Sequence, residues 1–482
     1  MMSIAPKSWS VLTALFGLLP ATLPAAGTLL STVEKPNIVF ILVDDAGIGD
    51  FSTYGCSYGV TPNIDRLAAE GMKFTQAYSG SAVCAPSRYV LMTGQHTGHA
   101  LRRANQSNVG LLPLPAAQPT VARVLHDAGY ATGGFGKWGL GNPGTTGVPE
   151  NQGFDVFFGY YDQKHAHDFY TDYLVQNSVK VPYQQSGNHT WEDYSHTRIA
   201  NETLKFIEQN KDQPFFCYAA WTPPHSDYVI PDNAPYSDKA WSEKNKNYAA
   251  MVQLLDKDVG RVIQKLKDLG LDEKTLVIFT SDNGANEDFI KELASTGGLR
   301  GHKRMLYEGG IRAPFIARWP GRIRPDTTSD LQTTFVDLLP TAADLVGVTA
   351  PSGMDGISIL PALLGQKQPV KHDSLYFEIY EPYFQQSVRL GDWKGYRLGT
   401  KAPLELYDLK TDPAEQYNLA SAHPEIVQKI EAIMLAEHIP SPHYTTPEQS
   451  EKETKQPNNK EKSAPLSKLL NEENLNLVKS VP

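Results

Sequence analysis

The sequence predicts an α/β protein built on a mostly parallel sheet, and three observations carry that prediction. The first is a set of unbroken apolar runs, which read as strands buried on both faces rather than as alternating, half-exposed ones. They are "PNIVFILVDD" from Pro36, "PFFCYAAWTPPH" from Pro214, "TLVIFTSDNG" from Thr275 and "APFIARWP" from Ala313. The second is that helical patterns lie between them, the alternation that builds parallel sheets. The third is a change of texture after about residue 370, where short aromatic strands replace the long apolar ones. The α/β domain is therefore expected over residues 36–370, with a small α+β domain behind it.

The helices follow from their start and stop signals. "TPNIDRLAAEG" has Pro62 in its first turn and Gly71 at its end, and "TVARVLHDAGY" and "YSHTRIANETLKFIEQN" repeat apolar residues at helical spacing. In the longest, Met251, Leu254, Leu255, Val259, Val262, Ile263 and Leu266 fall on one face, a core-packing stripe. Beyond residue 370, "SLYFEIY", "QSVRLGDWKGYRLG" and "LELYDLKTDPAEQYNLA" read as an antiparallel sheet over 371–440, with one helix near Glu425 to Ala436. Residues 441–482 are polar and Pro-bearing, a flexible tail ending in the short amphipathic piece "LSKLLNEENLNLV".

At 482 residues, 41% hydrophobic and 20% charged, the chain has ample material for a packed core. Lys7 precedes "VLTALFGLLPATLPAAG", an apolar run ending in small residues, the pattern of a signal peptide over residues 1–27. A membrane anchor is the competing reading, and Pro20 and Pro24 interrupt the run that a spanning helix needs. The expectation is an exported protein, periplasmic or secreted, with no membrane attachment after cleavage. Three cysteines, Cys56, Cys84 and Cys217, cannot supply a disulfide framework. The formal charge of −9 argues against nucleic acid as a partner, because backbone neutralisation needs a broad basic face. An anionic small substrate is compatible with it, given a local cluster of cations.

In an open parallel sheet, ligands bind beyond the carboxyl ends of the strands. Two buried strands end there in oxygen ligands, Asp44 and Asp45 in one and Asp282 and Asn283 in the other. Carboxylates gathered at one place repel unless a cation lies between them, and an all-oxygen set suits Ca2+ or Mg2+. Either motif alone also serves as a turn after a strand; two at equivalent strand ends favour the metal. In "SAVCAPSRYVLMTG", Pro86 fits a first helical turn, which sets Cys84 at a helix N-terminus with Arg88 one turn along on the same face. That arrangement suits a tetrahedral oxyanion. Taken alone, Cys84 reads better as filler at a helix start and Arg88 as a solvated charge.

"CAPSR" followed by "LMTG" resembles the Cys-x-Pro-Ser-Arg signature of the formylglycine-dependent sulfatases, members of the alkaline phosphatase superfamily. The resemblance runs through "TPNIDRLAAEGMKFTQAY", "GKWGLG", "TPPH", "SDNGA", "GHKRMLYEGGIRAPFIARWPG" and "ELYDLKTDPAEQYNL", nearly all of residues 36–420. It implies a large mixed, mostly parallel sheet sandwiched by helices, and a Cys84 oxidised by a formylglycine-generating enzyme to Cα-formylglycine. One hydroxyl of the hydrated aldehyde would attack sulfur and displace the alcohol, and the other would then collapse to the aldehyde and expel sulfate without attack of water on sulfur. It further implies that Asp44, Asp45, Asp282, Asn283 and the modified Cys84 bind Ca2+, with Mg2+ the lesser alternative. By the same resemblance Arg88 holds the hydrate, Lys137 and Lys303 bind sulfate oxygens, and His225 or Lys303 protonates the leaving oxygen.

The chain departs from the family at one point. Many members read Gly-Lys-Trp-His-Leu-Gly, and that His takes the proton when the intermediate collapses; here the position is Gly139. His165, His167 and His302 are the nearby candidates to replace it. His165 and His167 lie in "GFDVFFGYYDQKHAHDFYTDYL", an aromatic, polar segment like those that line sugar sites. In an extended segment they point to the same side, so substrate binding, a structural role and a metal pair all stay open. The function expected is hydrolysis of an O-sulfate ester on a sulfated mono-, oligo- or polysaccharide, of galactose or N-acetylgalactosamine type by the form of "GKWGLG" and "PENQGFDVFFGY". The alternatives are a phosphonate monoester or phosphodiester hydrolase, and a non-catalytic binder of sulfated glycans. Sequons stand at Asn105, Asn188 and Asn201.

Overall fold

The first long apolar run becomes a strand whose every residue is buried, Asn37–Val43, and the fold is organised around it. In the computed structural model, which describes Met1 and residues 35–446, this strand (β1) has parallel neighbours on both sides. The leader, the end of the polar tail and its amphipathic piece lie outside the described residues.

The other strands of the main sheet are β2 (Met72–Phe74), β4 (Ala131–Lys137), β5 (Val156–Tyr160), β6 (Tyr173–Gln176), β7 (Val179–Pro182), β8 (Phe215–Ala220), β9 (Thr275–Ser281), β10 (Phe315–Arg318) and β11 (Thr327–Ser329). The pair β3 (Ala77–Tyr78) and β12 (Thr333–Thr334) forms a separate short ladder. The ten-stranded order is β11-β2-β10-β9-β1-β8-β4-β5-β6-β7. The centre, β9-β1-β8-β4-β5, is parallel; β10 and β6 flank it antiparallel, and β7 pairs antiparallel with β6. The sheet is thus mixed and mostly parallel, as the sequence implies. Because β1, β4, β8 and β9 run the same way, the residues that follow them meet along one edge.

Side chains alternate across β1. Ile38, Phe40 and Leu42 pack on one face with Tyr89 to Met92 of helix α2 (Cys84–Thr93) and with Val121 and Leu125 of α3 (Val121–Asp127). Val39, Ile41 and Val43 pack on the other with α1 (Pro62–Ala69), α4 (Ser195–Gln209) and α5 (Glu243–Asp268). In α5 the stripe from Leu255 to Leu266 enters that layer, whereas Met251 packs against Phe169 and Tyr194. The α5 N-terminus lies earlier than its apolar pattern, at Ser242, whose hydroxyl accepts the Asn245 N–H.

The C-terminal strands β13 (Leu375–Ile379), β14 (Gln385–Leu390), β15 (Trp393–Leu398) and β16 (Glu405–Asp408) form an antiparallel meander. The helix Pro424–Glu437 covers one face through Ile430 and Met434. The other face packs Leu375, Phe377 and Tyr396 on Tyr78, Val83, Tyr307 and Ile311, so this small sheet is joined to the main one by an apolar layer. Within that junction the Lys394 ammonium, fully buried, is paired to Glu308 at 3.0 Å and Glu415 at 3.1 Å.

Candidate active site

The carboxyl edge of the sheet delivers the site. Asp44 and Asp45 follow β1, Asp282 and Asn283 follow β9, Lys137 closes β4, and His225 ends the turn after β8. Asp45 adopts a left-handed backbone (φ 65°), and its N–H is bound by Asp282 Oδ1 at 3.2 Å, which draws the two carboxylate turns together. Helix α2 brings Cys84 in its first turn onto this edge, and its Sγ lies 3.2 Å from Asp44 Oδ1 and 3.8 Å from Asp45 Oδ1. The N–H of the next residue, Ala85, donates to Asn105 Oδ1 at 3.1 Å. That contact occupies the Asn105 side chain inside the protein, so of the three sequons only Asn188 and Asn201 are exposed.

All nine residues that the strand ends and motifs point to as nucleophile, metal and cation sites converge here, and each is buried. Arg88 donates through Nε to Asp282 Oδ2 at 2.9 Å, through one Nη to Asp44 Oδ2 at 3.1 Å, and through the other to the Lys137 carbonyl at 2.6 Å. Its fork therefore grips the two carboxylate turns and the end of β4. Lys137 Nζ lies 2.7 Å from Asp44 Oδ2, an ion pair without hydrogen-bond geometry. Lys303 Nζ donates to Asp45 Oδ2 at 2.6 Å and stands 3.4 Å from His225 Nε2. Asn283 donates to Asp45 Oδ1 at 2.7 Å, while its own buried Oδ1 has no hydrogen-bond partner among the described residues.

The electrostatics follow from burial set against these pairings. Burial acts to raise Asp44, but Lys137, His225 and Arg88 outweigh it and hold the carboxyl well below the usual range. Asp45 is likewise held down against burial, chiefly by Lys303. Asp282 goes the other way: burial and the charge of Asp44 push it up to about 7. Burial together with Asp282 and Asp44 lifts the Cys84 thiol well above its ordinary value. Burial and the nearby Lys137 push His225 down to about 3, whereas Asp45 keeps Lys303 protonated against burial. His225 Nδ1 faces the Ser226 carbonyl at 2.7 Å, which places the proton of the neutral ring on Nδ1 and leaves Nε2 open to Lys303.

The histidine pair departs from expectation. His165 to His167 form a 3-10 turn, not an extended segment, so the two rings diverge. His165 stacks on Tyr173 (centroids 4.3 Å apart) and meets Thr171 Oγ1 at 2.8 Å, a packed position. His167 alone reaches the site, edge-on to His225 with centroids 4.4 Å apart and Nδ1 3.2 Å from Ser226 Oγ. His302 turns away, its Nδ1 on the Lys303 carbonyl and its Nε2 3.5 Å from Glu287. Gly139 is in the left-handed region (φ 76°), and a Cβ there would stand 2.3 Å from Gln163 Nε2. The amide of Gln163 thus occupies the space that a side chain at Gly139 would enter first. Sequence reasoning missed Gln163, since only the fold of the β5–β6 connection brings it to Gly139.

A buried thiol flanked by carboxylates and lysines at the carboxyl edge of a mixed sheet is an arrangement suited to holding a small oxyanion. The chain belongs to the sulfatase family, whose profile matches residues 36–348, and is a sulfuric ester hydrolase; the profile "N-sulphoglucosamine sulphohydrolase, C-terminal" matches residues 301–438. Human arylsulfatase A is 33% identical over 470 residues, covering 85% of this chain and 89% of that protein. The N-acetylgalactosamine-6-O-sulfatase of Bacteroides thetaiotaomicron is 30% identical over 488 residues, 83% of this chain and 93% of that one. Among solved structures, the PsFucS1 sulfatase from Pseudoalteromonas sp. superposes with a TM-score of 0.70 at 26% identity, covering 86% of this chain and 92% of that one. Ps i-CgsB in complex with k-i-k-neocarrahexaose has a TM-score of 0.75 over 85% of this chain and 95% of that one; at 24% identity it speaks for the fold alone.

Proposed function

We propose that this sulfatase hydrolyses an O-sulfate ester of a galactose-type or N-acetylgalactosamine-type glycan, with Cys84 as the precursor of a formylglycine nucleophile. The observation that carries the reading is Cys84 Sγ, 3.2 Å from Asp44 Oδ1, in a buried cluster that also holds Arg88, Lys137 and Lys303. As a plain thiol Cys84 stays protonated there and is a poor nucleophile. Oxidation to the hydrated aldehyde supplies one hydroxyl that attacks sulfur and displaces the sugar oxygen as an alcohol, and a second that gives up its proton and re-forms the aldehyde as the C–O bond to sulfate breaks. The relatives named for N-acetylgalactosamine sulfate esters support the choice of sugar.

The donor set fits a hard divalent cation. It is rich in oxygen, it gathers carboxylates that repel one another, and the unpartnered Asn283 Oδ1 is an acceptor awaiting a positive group. Asp44, Asp45, Asp282, Asn283 and the modified Cys84 would hold Ca2+ rather than Mg2+, since the larger ion tolerates irregular ligand sets. When bound, such an ion polarises a sulfate oxygen as a Lewis acid. Arg88 positions the carboxylates. Lys137 and Lys303 bind sulfate oxygens, and the poor hydrogen-bond geometry of Lys137 toward Asp44 leaves its N–H groups available for that. With His225 neutral and Lys303 charged, the proton for the departing sugar oxygen resides on Lys303, with His225 beside it to relay. His167 borders the sugar. Export through the leader, and a formylglycine-generating enzyme acting on the unfolded chain, complete the reading.

Mass spectrometry of the Cys84 peptide from the native host, paired with desulfation of 4- and 6-sulfated galactose and N-acetylgalactosamine, tests it. The aldehyde at Cys84 and turnover of at least one of these sugars are expected. An unmodified thiol, or a dominant rate on phenylphosphonate over 4-nitrophenyl sulfate, overturns it.

A further inference from the structure

Beside the buried cluster lies a cleft of about 450 Å3, at the junction of the main and C-terminal sheets. Of the buried cluster Lys303 lines it, together with Arg304, Tyr307, Glu381 and Tyr383. Arg304 holds a left-handed backbone (φ 76°), which a bulky residue adopts only when its surroundings impose it. Those surroundings are visible: its N–H donates to the Ala82 carbonyl at 2.8 Å, and its carbonyl accepts from Gln385 Nε2 at 2.8 Å. The backbone is thus clamped between the segment leading to Cys84 and the C-terminal sheet. Lys303 reaches Asp45 inside, while the Arg304 guanidinium, 49% exposed, lines the cleft.

Across from it, Glu381 accepts from Arg304 Nε at 3.3 Å and from the Asn105 N–H at 3.0 Å. Asn105 in turn accepts the Ala85 N–H next to Cys84. A rim ion pair between freely moving side chains contributes little. Here one partner is fixed by its backbone and the other by Asn105, so the pair is preorganised. A guanidinium with spare N–H groups beside a carboxylate with spare lone pairs presents donors and acceptors together, the pattern that adjacent sugar hydroxyls require. The half-buried Tyr383 offers the apolar face on which a sugar ring packs its C–H groups.

We propose that this cleft is a subsite for the sugar unit joined to the sulfated one, with Arg304 and Glu381 binding its hydroxyls. The inference rests on the glycan sulfatase reading above and adds to it a dependence on chain length.

The test takes whichever sulfated galactose or N-acetylgalactosamine the wild-type protein desulfates, a disaccharide containing that unit, and 4-nitrophenyl sulfate. Arg304→Asn keeps a residue that tolerates the left-handed backbone, and Tyr383→Ala probes the opposite wall without touching that conformation. Wild type is expected to favour the disaccharide over the monosaccharide by about tenfold in kcat/KM, a charged hydrogen bond's worth. Each variant should lose most of that preference through KM and keep its rate on 4-nitrophenyl sulfate within about twofold. No preference in wild type, or equal losses on all three substrates, overturns the subsite while leaving the sulfatase reading standing. Hydrolysis of the aryl ester with no sulfated sugar turned over sinks the glycan reading, and the subsite with it.

Discussion

Lys303 Nζ stands 3.4 Å from His225 Nε2, and of the two it is the lysine that carries the proton. His225 is held neutral by burial and its cationic neighbours, and Lys303 is held charged by Asp45. A general acid matters most when the leaving group is poor, so the pair is separable by substrate. Lys303→Met is expected to lower kcat on a sulfated sugar by about 10²- to 10⁴-fold, and on 4-nitrophenyl sulfate by distinctly less. His225→Asn should show the same ordering with a smaller loss. Equal losses on both substrates for Lys303→Met would assign it to sulfate binding alone, as measured by steady-state rates across a series of phenols.

Arg88 joins Asp282 and Asp44 with one guanidinium, so removing a proposed metal ligand also disturbs an ion pair, and the two effects need separate readouts. The double substitution Asp282→Asn with Asn283→Ala is expected to cut bound metal and activity together, the latter by at least about 100-fold. Elemental analysis after dialysis gives the first. Added Ca2+ should raise the melting temperature of the wild type and leave that of the variant unmoved. One ion per chain retained in the variant would show the ligand set to be wrong.

Gly139 and Gln163 make a steric statement that a sequence motif cannot. Restoring the family's histidine by Gly139→His places a Cβ 2.3 Å from Gln163 Nε2 in a left-handed backbone. The strained conformation alone costs about 1–2 kcal/mol for a residue with a Cβ. The single variant is expected to be destabilised and no more active than wild type. Gly139→His with Gln163→Gly removes the overlap but not the backbone strain, and should recover, by urea unfolding, only the part of the stability lost to the overlap. Their combined effect should be smaller than the sum of the two single effects, the signature of shared space.

How much of this was legible in the chain depends on the physics at each position. The strands β1, β8 and β9 announce themselves because strands buried on both faces must be apolar throughout, and their polar termini then mark the carboxyl edge. The sequence "ATGGFGK" of β4 does not read as a strand, since three of its seven residues are glycine; it is held by pairing with β5 and β8 on either side. Cys84, Arg88 and the two lysines were legible as motif residues. The divergence of His165 and His167 was not, because it turns on whether three residues curl into a 3-10 turn, a choice made by tertiary contacts with Tyr173 and Ser226. The junction through Glu381, Asn105 and Ala85 spans more than 270 residues of sequence, beyond any local pattern.

His96 and His99 pair with carboxylates from distant segments, and the His99 pair gives the fold a pH-dependent fastening. His96 Nε2 meets Glu437 Oε2 at 2.9 Å, at the end of the C-terminal helix, and His99 Nδ1 meets Asp355 Oδ1 at 2.8 Å. The hydrogen bond to Asp355 raises His99 above its ordinary value, against a smaller opposing effect of burial. A histidine whose folded value is raised contributes stability that is fully present below about pH 6.5 and is lost as pH rises through the folded value. Asp355 is held below its ordinary value, where His99 and His96 outweigh burial, so its own contribution is present above about pH 4 and is lost on acidification. Between pH 6 and pH 8 the melting temperature is therefore expected to fall by about 1–2 °C on account of His99, a small step because the ring is partly exposed. Differential scanning calorimetry of His99→Gln should lose that step and keep the remainder of the pH profile. A wild-type profile that rises from pH 6 to pH 8, or a variant with an unchanged step, would show that the fastening lies elsewhere.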